Sequence, residues 1–99
     1  MIYVIATLRI RADKREAFLA GARAVVAATA KEEGCLFYDL HQSITDPERY
    51  VFVERWTSRD ALAGHFKAPH LQVWREIAGQ CISQPTEVEI ITPADVEKR

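Results

Sequence analysis

The sequence predicts an α+β domain with the ferredoxin-like order β-α-β-β-α-β, in which helices cover one face of an antiparallel sheet. Four segments have the β-branched or alternating apolar residues typical of strands: residues 2–10, 35–43, 50–56 and 86–93. The two segments that begin near Asp13 and Thr57 instead repeat apolar residues at helical spacing. We expect residues 1–99 to form a single domain with a charged tail over about residues 94–99.

The first strand is followed by a helix with a capped start. The even positions from Ile2 to Ile10 are all apolar, so they are expected beneath the helices. Asp13 and Glu16 have the spacing of a capping box, which places the helix start at Asp13. The buried stripe of this helix is predicted to consist of Phe18, Ala22, Val25 and Thr29. Gly34 is the expected stop.

The remaining segments form a hairpin, a broken helix and a last strand. Asp46-Pro47 is a turn signal, so residues 35–56 are predicted to form an antiparallel hairpin. Thr57 begins the second helical region, and Pro69 predicts a break near residues 67–69 because proline cannot continue the hydrogen bonding of a helix.

Composition and charge exclude several classes of protein. The chain is 48% hydrophobic and 27% charged, and its formal net charge is -1. Because the chain has no excess of positive charge, neither nucleic acid nor a membrane surface is an expected partner. The apolar runs are also too short to span a bilayer. Cys35 and Cys81 are too few for a disulfide framework, which favours a cytoplasmic location with reduced thiols; one bridge between them is the alternative.

Alternation along the strands divides the side chains between two sheet faces. The helix side is expected to hold the even residues of the first strand with Tyr38, Leu40, Val51 and Val53. The open side is expected to hold Ile5, Phe37, Phe52 and Trp56. A contiguous apolar patch of this size is rarely left in water, so two copies are expected to pack sheet to sheet as a homodimer, a dimeric α+β barrel.

Polar residues on the same predicted face indicate a binding cavity. Asp39, His41 and Glu54 alternate with its aromatic residues. Burying carboxylates and imidazoles costs several kcal/mol unless they are paired or hydrated. Aromatic walls with a few polar groups are typical of small-molecule sites.

Five residues of this region are candidates for a site. Trp56 would form a flat wall for an aromatic ligand, and Glu54 would accept a hydrogen bond. His65 and His41 are candidate proton acceptors, because imidazole titrates near neutral pH. His70 would contact the ligand or orient a loop. The alternatives are core packing for Trp56, an ion pair with a nearby arginine for Glu54, and an ordinary polar role for His65. No metal is expected, because His65 and His70 lack the i, i+4 spacing of a helical zinc pair.

Several of these features together resemble the antibiotic biosynthesis monooxygenase family, and its small quinol monooxygenases most. "KEEGC" precedes the second strand, Glu54-x-Trp56 ends the third, and "ALAGHFKAPH", with His65 and His70, follows. The resemblance spans roughly residues 1–93. It implies dimeric α+β barrels that oxidise hydroquinones or polycyclic phenols with O₂ and use no flavin, haem or metal.

On this resemblance we expect no cofactor, with a small aromatic substrate and O₂ as partners. A base would remove a phenolic proton; His65 is the first choice and His41 the second, and Glu54 would orient the imidazole or the substrate. Substrate contacts are expected from Trp56, Phe52, Phe37, Asp39, His70 and Thr7.

Some branches of the family match less well. Haem-degrading members carry an asparagine, a tryptophan and a histidine where we match Thr7, His65 and Arg75, which disfavours that activity. Members acting on polycyclic antibiotics carry an asparagine where this chain has Phe52, whereas His41 matches their strand-two histidine. Two alternatives remain: an isomerase that uses His65 and Glu54 as an acid–base pair, and a non-catalytic module that binds an aromatic metabolite.

Overall fold

A computed structural model describes residues 1–99 and contains four strands and three α-helices. In chain order they are β1 (Ile2–Arg9), α1 (Arg15–Thr29), β2 (Cys35–Gln42), β3 (Arg49–Trp56), α2 (Arg59–Phe66), α3 (Pro69–Gly79) and β4 (Glu87–Ile91). A short 3-10 turn, Ala12–Lys14, precedes α1. The predicted element order is confirmed, with the second helical region divided in two.

The four strands form one antiparallel sheet in the order β2-β3-β1-β4. β1 lies in the middle and pairs with both β3 and β4, while β2 and β3 form the predicted hairpin. This is the ferredoxin-like arrangement that the sequence predicts. None of the helices combines the length and the apolar character that crossing a membrane would require.

The start of α1 differs from the prediction. Asp13 lies within the 3-10 turn, Lys14 occupies the cap position, and no side chain caps the helix. The predicted stripe is confirmed, because Phe18, Ala22, Val25 and Thr29 are all buried. The helix ends at Thr29, five residues before the predicted stop at Gly34. Gly34 has a positive φ of 84° and leads into β2 instead.

The break between α2 and α3 falls where proline predicts it. The hydroxyl of Ser58, rather than that of Thr57, caps α2 by accepting a hydrogen bond from the amide of Ala61 at 3.1 Å. α2 ends at Phe66 with Lys67 as its C-cap, and Pro69 occupies the first turn of α3, where its missing N–H costs no hydrogen bond. Across this break the ring of His70, at the start of α3, lies 6.2 Å from that of His65, at the end of α2.

The sheet register corrects the predicted faces of β3. Ile2 lies opposite Trp56, Val4 opposite Glu54 and Ala6 opposite Phe52. Residues directly opposite each other in adjacent strands share a face, and the even residues of β1 are buried beneath the helices.

Trp56, Glu54 and Phe52 therefore lie on the helix side and not on the open side. Val51 and Val53, expected on the helix side, lie on the open side opposite Thr7 and Ile5. Each set of alternate residues in β3 combines apolar and charged side chains, with Glu54 in one set and Arg49 and Arg55 in the other, so alternation alone did not decide which set faces the helices.

Candidate functional site

A cavity of about 220 Å³ lies between the helix side of the sheet and helices α2 and α3. Its walls are mostly apolar and come from β1, β3 and α3: Val4, Ala6, Leu8, Phe52, Leu71, Trp74 and Ala78. Glu54, His65 and Arg75 bring ionisable groups to it. The cavity is therefore lined within one subunit and not between the sheets of two, where strand alternation predicts it.

Glu54 is a buried carboxyl group with one hydrogen-bond donor. Its side chain is 5% exposed, and its Oε1 accepts a hydrogen bond from Nε1 of Trp56 at 3.0 Å. Burial raises the pKa of Glu54 to about 7; the Trp56 hydrogen bond opposes this rise and the charge of Glu32 adds to it. At neutral pH the group is therefore present both as acid and as base.

His65 is a buried imidazole packed against aromatic rings. It is 2% exposed, and its ring centroid lies 4.8 Å from that of Trp56 and 5.3 Å from that of Tyr38. Its Nδ1 lies 2.6 Å from Oε2 of Glu32. Burial lowers the pKa of His65, although the hydrogen bond and charge of Glu32 act to raise it. The ring is therefore neutral at pH 7.

The second ring nitrogen of His65 opens into the cavity. Nε2 has no hydrogen-bond partner in the protein. Oγ1 of Thr29 is the one side-chain polar atom that is both fully buried and without a partner, so Nε2 is not fully buried. Because His65 lines the cavity, Nε2 is reached from that side. A ligand hydroxyl in the cavity can thus approach this nitrogen.

Glu32 joins the two helix histidines. Nε2 of His70 lies 2.7 Å from the same Oε2 that contacts Nδ1 of His65. Glu32 is not among the predicted site residues, and nothing in "KEEG" distinguishes it from the exposed Glu33. The expectation that Glu54 orients the imidazole is corrected, because the hydrogen-bond partner of His65 is Glu32.

Trp56 does not line the cavity. It is fully buried behind His65 and Glu54, where its indole N–H supports the carboxylate. Trp74 of α3 lines the cavity instead, and its ring meets that of Phe52 at 5.5 Å with an interplanar angle of 83°. Trp74 was not among the predicted site residues.

Four predicted site residues lie on the open face, away from the cavity. Phe37, Asp39 and His41 alternate along β2 opposite Arg55, Val53 and Val51 of β3, and Thr7 of β1 also lies opposite Val51. The side chain of His41 is 54% exposed, with Nε2 3.5 Å from a carboxylate oxygen of Asp39. The structure thus brings together Glu54, Trp56, Phe52 and His65, with His70 attached through Glu32. It does not place Phe37, Asp39, His41 or Thr7 with them.

Comparison with known proteins places the chain in a family. The sequence profile of the antibiotic biosynthesis monooxygenase family matches residues 1–77. The chain belongs to this family. A protein of Mycobacterium tuberculosis named "Putative monooxygenase Rv0793" is 36% identical over 94 residues, which cover 95% of this chain and 92% of that protein.

Members of the antibiotic biosynthesis monooxygenase family also share the structure. The solved structure of Rv0793 superposes with a TM-score of 0.91 and covers 98% of both chains. A Nitrosomonas europaea structure whose description names an antibiotic biosynthesis monooxygenase has a TM-score of 0.90 at 27% identity, covering 96% of this chain and all of that one. The "Uncharacterized protein sll1783" of Synechocystis is 27% identical over 97% of this chain, which spans 65% of that protein's length.

Proposed function

We propose that this family member is a monooxygenase that oxidises a small phenolic or quinol-like aromatic molecule with O₂ and without a cofactor. The observation that carries the proposal is an apolar cavity that holds two buried proton-accepting groups, His65 and Glu54. Surroundings that shift the pKa values of such a pair in opposite senses are typical of acid–base sites. Family membership and the names of the relatives support an oxygenase.

The size of the cavity favours a small aromatic ring system. An apolar protein cavity of roughly 150 Å³ accommodates benzene, so about 220 Å³ suits one ring or two fused rings. Phe52 and Trp74 meet nearly at right angles, which gives the cavity one aromatic wall on the sheet and one on α3. Such walls hold a flat ring by apolar contact.

The proposed reaction begins with proton transfer. Nε2 of His65 accepts the proton of a substrate hydroxyl, which leaves an electron-rich phenolate in a cavity that largely excludes water. The phenolate passes one electron to O₂, and the two radicals then combine. One oxygen atom is added to the ring and the other leaves as water; all four electrons come from the substrate, as when a phenol and O₂ give a quinone and water. No external reductant is required by this balance.

A second candidate function is isomerisation. The pKa of Glu54 at about 7, beside a neutral His65, is the arrangement expected of a pair that removes a proton at one atom and returns it at another. This chemistry needs a substrate with an acidic C–H or O–H group and consumes no O₂.

An oxygen-uptake assay separates these functions. The protein is mixed with a panel of one- and two-ring quinols and phenols, in air and under argon, with no added cofactor. We expect O₂ uptake and an oxidised product only in air, and His65→Ala is expected to abolish turnover. His41→Ala, a histidine outside the cavity, is the matched control and is expected to retain it.

Each other result has a distinct meaning. Turnover under argon, with solvent-proton exchange, would identify the isomerase. Saturable quenching of tryptophan fluorescence without any turnover would identify a binding module, and it would be mostly unchanged by His65→Ala. O₂ uptake by His65→Ala at the rate of the unaltered protein would remove His65 as the base.

We further propose that the protein acts as a homodimer built through the open sheet face. That face carries apolar side chains which are only partly buried in one subunit: Tyr3, Ile5, Phe37, Val51, Val53 and the exposed Ile91. A second copy would remove this surface from water. The expected cytoplasmic location also remains a proposal, supported by the free thiols of Cys35 and Cys81.

A further inference from the structure

Two imidazoles converge on one carboxylate oxygen beside the cavity. Oε2 of Glu32 lies 2.6 Å from Nδ1 of His65 and 2.7 Å from Nε2 of His70. Only 2% of the His65 side chain is exposed, against 16% for Glu32 and 29% for His70. His65 lies at the end of α2, Glu32 in the loop between α1 and β2, and His70 in the first turn of α3.

We propose that Glu32 and His70 are positioning residues that hold His65 as a proton acceptor facing the cavity. The inference rests on the proposed role of His65 as the base of the reaction. Neither Glu32 nor His70 lines the cavity, so both act through His65.

The hydrogen bond from His65 to Glu32 fixes the tautomer of the imidazole. An ionised carboxylate only accepts hydrogen bonds, so Nδ1 of His65 must carry the hydrogen. The lone pair of the neutral ring is then on Nε2, the nitrogen that opens into the cavity. Without Glu32 the ring is free to carry its hydrogen on Nε2, where it would donate to a ligand hydroxyl and could not take its proton.

Glu32 also stabilises the charge that proton transfer creates. An imidazolium at a buried position is costly unless an anion lies next to it. Glu32 is the group whose contact raises the pKa of His65, whereas burial, His70 and Arg75 lower it. The charge of Glu32 also raises the pKa values of Cys35, Tyr38 and Glu54, none of which hydrogen-bonds to His65.

His70 restrains the carboxylate. Glu32 is attached to a loop and is partly exposed, so a single contact with His65 would leave it free to turn towards water. The second hydrogen bond, from Nε2 of His70, fixes Oε2 between the two rings. The proline at the start of α3 places His70 where it can make this contact.

The same three groups are also a possible metal-binding set, because their donor atoms lie within 4.8 Å of one another. A zinc ion bonded to each at about 2.0–2.1 Å would keep the donors roughly 3 Å or more apart. The separations of 2.6 and 2.7 Å are those of hydrogen bonds instead. The positioning role is therefore favoured, and metal binding is an outcome that the test must detect.

The first test needs no substrate. The protein is labelled with ¹⁵N-histidine, and the imidazole nitrogens are observed by NMR near pH 8. We expect His65 to carry hydrogen on Nδ1, and Glu32→Ala to move it wholly or partly to Nε2. Glu33→Ala, the exposed neighbour in the same loop, is the matched control and is expected to leave the tautomer unchanged. If Glu32→Ala fails to fold, Glu32→Asp and His70→Asn are measured in the same way.

The second test is kinetic. Glu32→Ala is expected to lower kcat by roughly 10²-fold, the usual size of an acid–base contribution, with KM changed by less than about threefold. Glu32→Asp should restore part of this loss, and His70→Asn should lower kcat by a smaller factor.

Three results would overturn the proposal. They are hydrogen on Nε2 of His65 in the unaltered protein, a tautomer that Glu32→Ala does not change, and a stoichiometric metal whose removal by a chelator abolishes turnover. If no compound of the panel is turned over, the proposed function fails but the NMR result still decides the positioning role.

Discussion

Replacing Glu54 by glutamine tests whether the cavity raises the pKa of this carboxyl group. Glutamine keeps the shape of the side chain and an oxygen that can accept the Trp56 hydrogen bond, but it cannot ionise. The pKa of Glu54 rises from 4.5 to about 7 on burial. Each pKa unit corresponds to about 1.36 kcal/mol, so this rise changes the folding free energy by roughly 3 kcal/mol between low and high pH. Folding is the more favourable below pH 4.5 and the less favourable above pH 8.

The sign follows from proton binding. Between pH 4.5 and 7 the folded protein keeps a proton on Glu54 that the unfolded chain has lost, so stability falls as the pH rises through this range. The glutamine variant lacks this loss. We therefore expect the free energy of unfolding of Glu54→Gln, relative to the unaltered protein, to increase by roughly 3 kcal/mol from pH 4 to pH 8.5.

Urea unfolding at several pH values measures this difference. Protein concentration is held fixed, because dimerisation would add to the apparent stability. The other titrating groups contribute similarly to the unfolding free energies of both proteins. The test is therefore how the difference between the two free energies changes with pH. Glu76→Gln, an exposed glutamate on α3, is the control and should give a flat difference. A flat difference for Glu54→Gln as well would show that the cavity does not shift this group.

Two further substitutions test the dimer and the loop that carries Glu32. Val53→Asp puts a charge opposite Ile5 on the open face and is expected to give monomers in sedimentation velocity. Val73 on α3 is 59% exposed, so the control Val73→Asp should leave the dimer intact. A dimeric Val53→Asp protein would refute the proposed interface. Gly34→Ala is expected to lower the free energy of unfolding by roughly 1–3 kcal/mol, because the φ of Gly34 is +84° and an added Cβ would lie 2.5 Å from the Cβ of Ala61. Thermal or urea unfolding measures this loss. An unchanged stability would show that the loop relaxes freely.

The element order could be predicted from the sequence because each signal is local. Alternation marks the strands, and Pro69 marks the break between α2 and α3. The faces of β3 were predicted wrongly, because both sets of alternate residues carry apolar and charged side chains. Only pairing with β1, a contact between distant segments, decides that Phe52 and Trp56 lie beneath the helices.

The same limit explains the mixed result for the site. Glu54 and His65 were selected by residue type, and the structure brings both to one cavity. Glu32 was missed because its partner His65 is 33 residues away and no spacing rule connects them. His41 was grouped with Glu54 by an incorrect assignment of faces, and it lies on the other side of the sheet.

If His65 is the base, as we propose, the charges around the cavity reduce the free-energy cost of proton transfer to it in an apolar site. Before transfer, Glu32 is the anion next to the imidazole, and burial raises the pKa of Glu54 to about 7, which favours its protonated form relative to an exposed glutamate. After transfer the imidazolium and Glu32 form a neutral pair, so the new charge left in the cavity is that of the phenolate. Arg75 lines the same cavity and is the cation available to offset that charge. Protonated Glu54 adds no repulsion to the phenolate, whereas ionised Glu54 would. The proposed oxidation should therefore slow as the pH rises above 7 and Glu54 becomes fully ionised.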